Sequence, residues 1–339
     1  MMENKELFLS IIIPIYNGAD HLASTLESVL NSGIDAFSSE VLLVNDGSTD
    51  ETLSICKRYL VEYPQLFRLF SKKNGGISSA RNYGLSKARG QYVFFLDDDD
   101  LLRPDSLKLF YDNYFDNLYD VIGFSCDTVD FTVDLIVEKG TLGSVVFEGC
   151  GIDFMKLRTP TFVWVYWYKR SFLVGNNIEF RIHYPEDVLF NLSVFRLNPI
   201  IRITNQKVIC YMNYREEGQL TKVRDPKKLI PILEGYMCYF RELSNSKDSH
   251  GLSETSINMA INGQIIPFVS RCLSSSISRE QFKVFGLKLS ELNLIDFNPS
   301  SLYSRVAFFI IRNPFFFPFF KFCYRFLFQK YVLPNLSRS

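Results

Sequence analysis

Through the first hundred residues, short β-branched runs alternate with segments whose apolar residues recur at helical spacing. Leu9–Ile15 is the first such run. Leu22, Leu26, Val29 and Leu30 then align on one face of a helix predicted over 19–30. Val41–Val44, Phe67–Phe70 and Tyr92–Leu96 read as three more strands, with helices predicted over 48–63 and 77–88 between them. A strand about every thirty residues, with a helix in each interval, is the arithmetic of βαβ units and a mostly parallel sheet. In such sheets ligands collect outside the carboxyl ends of the strands. Val121–Phe124 and Ser144–Phe147 read as further strands, and the dense aromatic segment 159–168 reads as core, with a groove lining as the alternative. Beyond Pro226 the spacing turns helical over 229–243 and 256–273. The pattern divides the chain into an α/β domain over 1–222 and a helical region over 223–339.

At 339 residues the chain exceeds one ordinary core, in keeping with that division. Lys plus Arg equals Asp plus Glu at 37 each, so no global field selects nucleic acid as a partner. Seven cysteines are scattered without a CxxC pair, and with only three histidines no zinc spacing appears. Unpatterned thiols, and a polar start before a short apolar run cut by Pro14, predict a cytoplasmic protein without a signal peptide.

Val93–Leu96 runs straight into four carboxylates, Asp97, Asp98, Asp99 and Asp100. Adjacent carboxylates repel unless hydrated, hydrogen-bonded or holding a cation. If the segment stays extended, Asp97 and Asp99 share one face while Asp98 and Asp100 share the other. An acidic turn capping a helix that begins near Pro104 is the simpler alternative. Two other strand ends carry polar groups, Tyr16-Asn17-Gly18 and Asn45-Asp46-Gly47. Ser48 and Glu51 fit a helix capping box, which leaves Asp46 unexplained. Gly75 and Gly76 allow close backbone approach, and Arg81 projects from the first turns of the next helix, where anions are favoured. Neither GxGxxG nor GxxxxGKS/T is present, which argues against dinucleotide oxidoreductases and P-loop enzymes. Pro185-Glu186-Asp187 has the chemistry of a first helical turn.

Taken together, four stretches resemble the family 2 glycosyltransferases of the GT-A fold: Ser10–Asn17 (SIIIPIYN), Val44–Asp50 (VNDGSTD), Gly75–Asn82 (GGISSARN) and Phe95–Asp100 (FLDDDD). Trp164–Phe172 and Tyr184–Phe190 extend the resemblance across about residues 7–215. It implies a GT-A (Rossmann-like) sheet flanked by helices, followed by a helical C-terminal extension. It also implies a donor nucleotide site at Pro14, Tyr16, Asp46, Arg81, Asp97 and Asp98. Within that site Tyr16 is expected near the nucleobase, Asp46 on a base ring nitrogen, Arg81 near phosphates or ribose, and Asp97 towards the ribose. Asp99 matches the metal position of the DxD motif, for Mg²⁺ or Mn²⁺. Asp98 stands where the family commonly has a small residue, which leaves the ligand open among Asp98, Asp99 and Asp100. Asp187 matches the catalytic base, with Glu186 supporting it. Trp164 and His183 are candidates for acceptor contact.

The implied function is transfer of one sugar, with inversion at C1, from a UDP-linked donor to a glycan or polyprenyl-linked glycan in surface polysaccharide synthesis. The chain has no QxxRW signature and no multi-span region, features of processive members, so a single addition per encounter is expected. A catalytically silent glycan- or partner-binding protein is the alternative from another class. A sugar nucleotidyltransferase would carry a Gly-rich basic loop where Tyr16-Asn17-Gly18-Ala19 stands. The segment 297–339 lacks acidic residues and spreads Arg305, Arg312, Lys321, Arg325, Lys330 and Arg338 through a Phe-rich background. That composition predicts peripheral contact of residues 302–339 with the cytosolic face of an anionic membrane, against the alternative of a helix pair packed on the catalytic domain.

Overall fold

The computed structural model describes residues 7–114, 118–130, 135–137, 146–181, 185–213, 226–249, 252–292 and 302–324. The chain forms two compact units. One comprises Met1–Gly151, Thr161–Ile182 and Glu186–Arg215, and the other Ile152–Pro160, His183–Pro185 and Glu216–Ser339.

The elements follow the predicted alternation: β1 (Leu9–Ile15), α1 (Leu22–Leu30), β2 (Ser39–Asn45), α2 (Thr52–Glu62), β3 (Phe67–Ser71), α3 (Ile77–Lys87) and β4 (Tyr92–Phe95). After these come β5 (Leu101–Leu102), α4 (Ser106–Tyr114), β6 (Val121–Asp130), β7 (Leu135–Val137), β8 (Phe147–Cys150) and α5 (Gly151–Leu157). The series continues with β9 (Tyr166–Lys169), α6 (Arg170–Gly175), α7 (Glu186–Phe195) and β10 (Ile200–Asn213). Five helices complete it: α8 (Pro226–Ser249), α9 (Glu254–Ser274), α10 (Arg279–Glu291), α11 (Leu302–Arg312) and α12 (Phe317–Cys323).

The strands form one mixed sheet in the order β3-β2-β1-β4-β9-β6-β10-β5, with β7 on β6 and β8 on β10. β3, β2, β1 and β4 are parallel, as the βαβ spacing requires. β9 runs antiparallel between β4 and β6. The chain leaves β1 to one side for β2 and β3, then returns to its other side for β4. That reversal makes the carboxyl ends of β1 and β4 a topological switch point, where such sheets open a crevice.

Every residue of β1 and β4 is buried, as expected of continuous apolar strands covered on both faces. α3 lies unusually close to β1 because its inward face is small: a Cβ on Gly84 would stand 2.4 Å from Ile12 Cγ2. Sinking this helix carries Arg81, one turn earlier, beneath the surface. The aromatic run before and within β9 is core. Tyr166, Trp167 and Tyr168 are buried between β4 and β6, as the dense aromatic composition favoured, and do not line a groove. A strand this aromatic satisfies the buried middle of a sheet as well as it would a sugar platform. Of the strand expected over 144–147, Ser144 and Val145 lie outside the described residues, and the strand observed is Phe147–Cys150.

In the second unit α9 buries Ile257, Ile261, Ile265, Phe268 and Cys272 on one face, at the spacing of an amphipathic helix. Tyr236 and Phe240 of α8 meet Phe268 with ring centroids 5.8 and 6.1 Å apart. α10 opens with a capping box from Ser278 and Gln281.

Candidate functional site

The site is assembled where β1, β2 and β4 end. The turn after β1 and the loop after β2 are zipped together by side chains. Asn17 takes a positive φ of 53°, which asparagine tolerates, and its N–H donates to Ser48 Oγ at 3.0 Å. Thr49 N–H donates to Asn17 Oδ1 at 2.8 Å, Gly18 N–H to Thr52 Oγ1 at 2.9 Å, and Ala19 N–H to Asp50 Oδ2 at 3.2 Å. The expected Ser48/Glu51 capping box is therefore absent. Glu51 makes no side-chain cap, and α2 starts at Thr52 because Ser48 is used by the neighbouring turn. Pro14 is buried in β1 beside Val44, while the Tyr16 ring projects outward, half-exposed, at the strand end.

Asp46 is buried, and both of its oxygens hold the loop between β3 and α3. Gly76 N–H donates to Oδ2 at 2.8 Å, Gly75 N–H lies 3.1 Å from each oxygen, and Lys72 Nζ pairs with Oδ1. Gly76 sits at φ 83°, so the glycine pair lets the backbone fold onto the carboxylate. Lys72, which the sequence pattern did not single out, is the cation of this corner. It follows β3 directly, and its position at a strand end is the one signal that marks it.

The four aspartates do not continue the strand. β4 ends at Phe95, and Asp100 N–H donates to Asp97 O at 3.2 Å, closing a turn over 97–100. This corrects the division into two alternating faces, since alternation holds only for extended backbone. The Asp97 carboxylate turns to Arg81. Asp98 reaches back to the β1 turn, where the backbone of Tyr16 favours its charge and its Oδ2 would stand 2.3 Å from a Cβ on Gly18. The Asp98 carbonyl accepts from Thr25 Oγ1 at 2.7 Å. Burial drives the Asp98 carboxyl well above the usual range, with Asp99 and Asp97 adding repulsion. Asp99 is pushed up to about 6 by burial and by Asp97, with His21 acting in the other direction. His21 is a neighbour that only the fold discloses, since it precedes α1 in an unremarkable polar stretch. Asp100 is buried.

Arg81 joins the acidic turn to the start of α7. Its Nη2 donates to Asp97 Oδ1 at 2.8 Å and its Nη1 to Asp187 Oδ1 at 2.6 Å, with Glu186 Oε1 at 3.4 Å from Nη1. The guanidinium is 1% exposed, whereas the Asp97 and Asp187 side chains are 25% and 18% exposed. The resemblance places Arg81 near donor phosphates or ribose, and in this structure its guanidinium is already engaged by acidic side chains. Its two ends are taken by carboxylates, and those carboxylates present themselves at the surface instead. Beneath it lies an aromatic floor: the Phe180 ring 5.1 Å from the guanidinium carbon, stacked on Phe190 at 4.0 Å and 10°, with Phe95 edge-on to both. Asn82 fixes Phe180 by exchanging two hydrogen bonds with its backbone, at 2.7 and 2.8 Å.

One guanidinium among three carboxyl groups cannot neutralise all of them. Burial pushes Asp187 up to about 7 despite Arg81, with Glu186 and Asp97 adding repulsion, and Glu186 is raised as well. Burial opposes the charge on Arg81, but Asp187, Asp97 and Glu186 more than offset it, so the arginine stays cationic. The arrangement is a carboxylate able to exchange a proton near neutrality, held by a fixed cation that also grips the acidic turn.

Trp164 does not offer a platform. It is 3% exposed and stacked on Phe162 at 4.9 Å, so the ring left at the surface is that of Phe162. His183 lies outside the described residues.

A model of glycosyl transferase family 2 matches residues 10–179, a stretch that contains the β1 turn, the Asp46 loop, Arg81 and the acidic turn. The chain belongs to glycosyl transferase family 2. Its relatives include the minor teichoic acid biosynthesis protein GgaB of Bacillus subtilis strain 168. That protein is 47% identical over 93 residues, 27% of this chain and 10% of GgaB. The uncharacterized glycosyltransferase YibD of Escherichia coli strain K12 is 31% identical over 222 residues, 62% of each protein. The match thus spans less than two thirds of the length of either relative. Among solved structures, residues 1–349 of S. aureus TarS in complex with UDP-GlcNAc superpose with a TM-score of 0.69. The identity there is 19%, over 94% of this chain and 92% of that one, a likeness of fold. The mixed sheet with flanking helices is GT-A-like, as the resemblance implied.

For this family 2 glycosyltransferase the resemblance also implies a divalent ion. Among the described residues no three Asp, Glu, His or Cys side chains converge as a ready-made cage. The Asp99 carboxyl, raised because it is buried beside Asp97, is a hard oxygen donor whose repulsion a cation would relieve. One or two carboxylates completed by substrate phosphates and water is the usual manner of holding Mg²⁺, so these residues fit such an ion.

Proposed function

We propose that this family 2 glycosyltransferase moves one sugar from a UDP-linked donor to a glycan or polyprenyl-linked glycan acceptor, with inversion at C1. The process it serves is surface polysaccharide synthesis. The observation that carries the reading is the bridge from Asp97 through Arg81 to Asp187, which couples the donor rim of the sheet to a carboxyl raised to about 7. The Tyr16 ring is available to stack on the base, and Asp97 is available to the ribose. Asp187 takes the proton from an acceptor hydroxyl as its oxygen attacks C1. The bond from C1 to the diphosphate oxygen breaks on the opposite face, and its electron pair leaves with the diphosphate. Bound at Asp99, Mg²⁺ or Mn²⁺ would neutralise that departing charge. GgaB, a teichoic acid biosynthesis protein, supports the acceptor class, and the TarS complex with UDP-GlcNAc supports the donor class.

The test is UDP release from a panel of UDP-sugars, with and without Mn²⁺ and with lipid-linked or soluble glycan acceptors. Asp187→Asn is expected to lower kcat by about 10²–10⁴ while donor binding by thermal shift is retained. Near-normal transfer by that variant removes Asp187 from the role. Donor binding without turnover on any acceptor favours the silent binding protein.

A further inference from the structure

The helical unit carries a bend whose two faces differ. Residues Ser304–Arg312 and Pro314–Cys323 meet at 103°, and no single helix among the described residues is long and apolar enough to cross a membrane. One face of the bend is anchored. Phe317 stacks on Phe282 at 4.2 Å and 14°, Lys321 Nζ donates to Ile277 O at 2.6 Å, and the hydroxyls of Tyr324 and Ser270 lie 2.6 Å apart. Phe308, Ile310 and Ile311 are buried on the same side.

The other face is a surface of phenylalanines. Phe309, Phe315, Phe316, Phe319 and Phe322 are all exposed, Phe315 by 73%. Four of them join in one patch: Phe316 lies 5.7 Å from Phe309 and 5.5 Å from Phe315, and Phe320 lies 6.0 Å from Phe309 and 5.5 Å from Phe319, while Phe322 follows Phe319 by one helical turn on α12. Arg305 and Arg312 are exposed on α11, four residues before and three after Phe309, with the Arg312 guanidinium carbon 6.0 Å from the Phe308 ring. α10 packs on the bend through Phe282 and Gly286, and it exposes Val284 and Leu287 beside Lys283 and Lys288. No acidic residue occurs anywhere in 297–339.

We propose that this bend docks the protein peripherally on an anionic phospholipid surface. The rings of Phe309, Phe315, Phe316, Phe319 and Phe322 enter the interface, and Arg305 and Arg312 meet lipid phosphates. Contiguous exposed rings of this extent mark an interaction surface. Rings flanked by cations, in a segment whose sequence has no Asp or Glu, match the two layers of an anionic interface, apolar below and negative above. A second copy of the chain is the poorer occupant, because it would set Arg305 and Arg312 against the same cations. The anchored face explains why the patch persists as a shaped surface: the side chains of Phe317, Lys321 and Tyr324 are held by Phe282, Ile277 and Ser270. The inference stands apart from the glycosyl-transfer reading and survives its failure.

Cosedimentation of the full chain with vesicles tests it, using phosphatidylcholine alone and phosphatidylcholine mixed with phosphatidylglycerol. Binding is expected on the mixed vesicles, weakening with salt. F315S/F319S/F322S should bind about tenfold more weakly or worse. R305Q/R312Q should lose about fivefold per cation on mixed vesicles and little on phosphatidylcholine. All five positions are exposed, and unchanged far-ultraviolet dichroism establishes that the variants fold. Wild-type binding by the triple phenylalanine variant, no binding by the parent chain, or lipid-free self-association abolished by the triple variant would each overturn the proposal.

Discussion

A lysine at position 81 keeps the charge of Arg81 and loses its reach in two directions. Nη1 and Nη2 serve Asp187 and Asp97 separately, and a single ammonium cannot replace that planar fork. Arg81→Lys is therefore expected to lower turnover well beyond its effect on donor affinity. The movement of the rate profile is more telling. A base with a pKa of about 7 makes the rate rise with pH through neutrality. With less cationic support Asp187 ionises later, so the rising limb should move to higher pH. A limb left in place with reduced kcat assigns Arg81 a purely structural part. The sequence singled out Arg81 through its place in the first turns of α3, but not what it touches. Its partners are 16 and 106 positions away, separations that local pattern does not bridge.

At the scale of elements, the packing of α3 on β1 is what sets Arg81 at its depth. Alanine at position 84 favours a helix by about 1 kcal/mol but places a methyl against Ile12 Cγ2, in a strand with no room to move. Gly84→Ala is expected to destabilise by about 1–3 kcal/mol in chemical denaturation and to disturb the Arg81 bridge. A stabilised variant would show that the helix can lift without cost. The four parallel strands were legible because β-branched runs recur at βαβ intervals. The start of α3 was legible too, at Ile77, but α1 and α2 begin three and four residues later than predicted. Ser48, Thr49 and Asp50, inside the predicted start of α2, instead bond across to the turn after β1. Local pattern cannot distinguish a cap from a cross-loop zipper, nor an extended acidic run from the turn over 97–100. It likewise cannot separate aromatic core from aromatic surface, as Trp164 and β9 show.

For the molecule as a whole, the crowding of carboxyl groups makes stability depend on pH in an uncommon direction. Asp98, Asp99, Glu186 and Asp187 all have folded-state values above their ordinary range, about 6 for Asp99 and about 7 for Asp187. Between the ordinary carboxylate range and those values the native state holds more protons than the unfolded chain, so stability falls as pH rises. Glu40 works oppositely. Burial disfavours its charge, but bonds from Arg68, Ser10 and Arg89 hold it below its ordinary value, and its contribution is lost only in stronger acid. The expected optimum is thus mildly acidic. From about pH 5 to pH 8 the loss should be on the order of a few kcal/mol, at about 1.4 kcal/mol for each tenfold difference in proton affinity between the folded and unfolded chain. Denaturation midpoints at constant ionic strength measure it, and Asp99→Asn should remove part of the slope. Mn²⁺ with UDP should raise the midpoint more at pH 8 than at pH 5, because a cation binds the ionised carboxylates and competes with their protons. A midpoint that rises towards pH 8 without ligand would mean the cluster is fully compensated in the folded chain, and that the near-neutral proton exchange assigned to Asp187 has no basis.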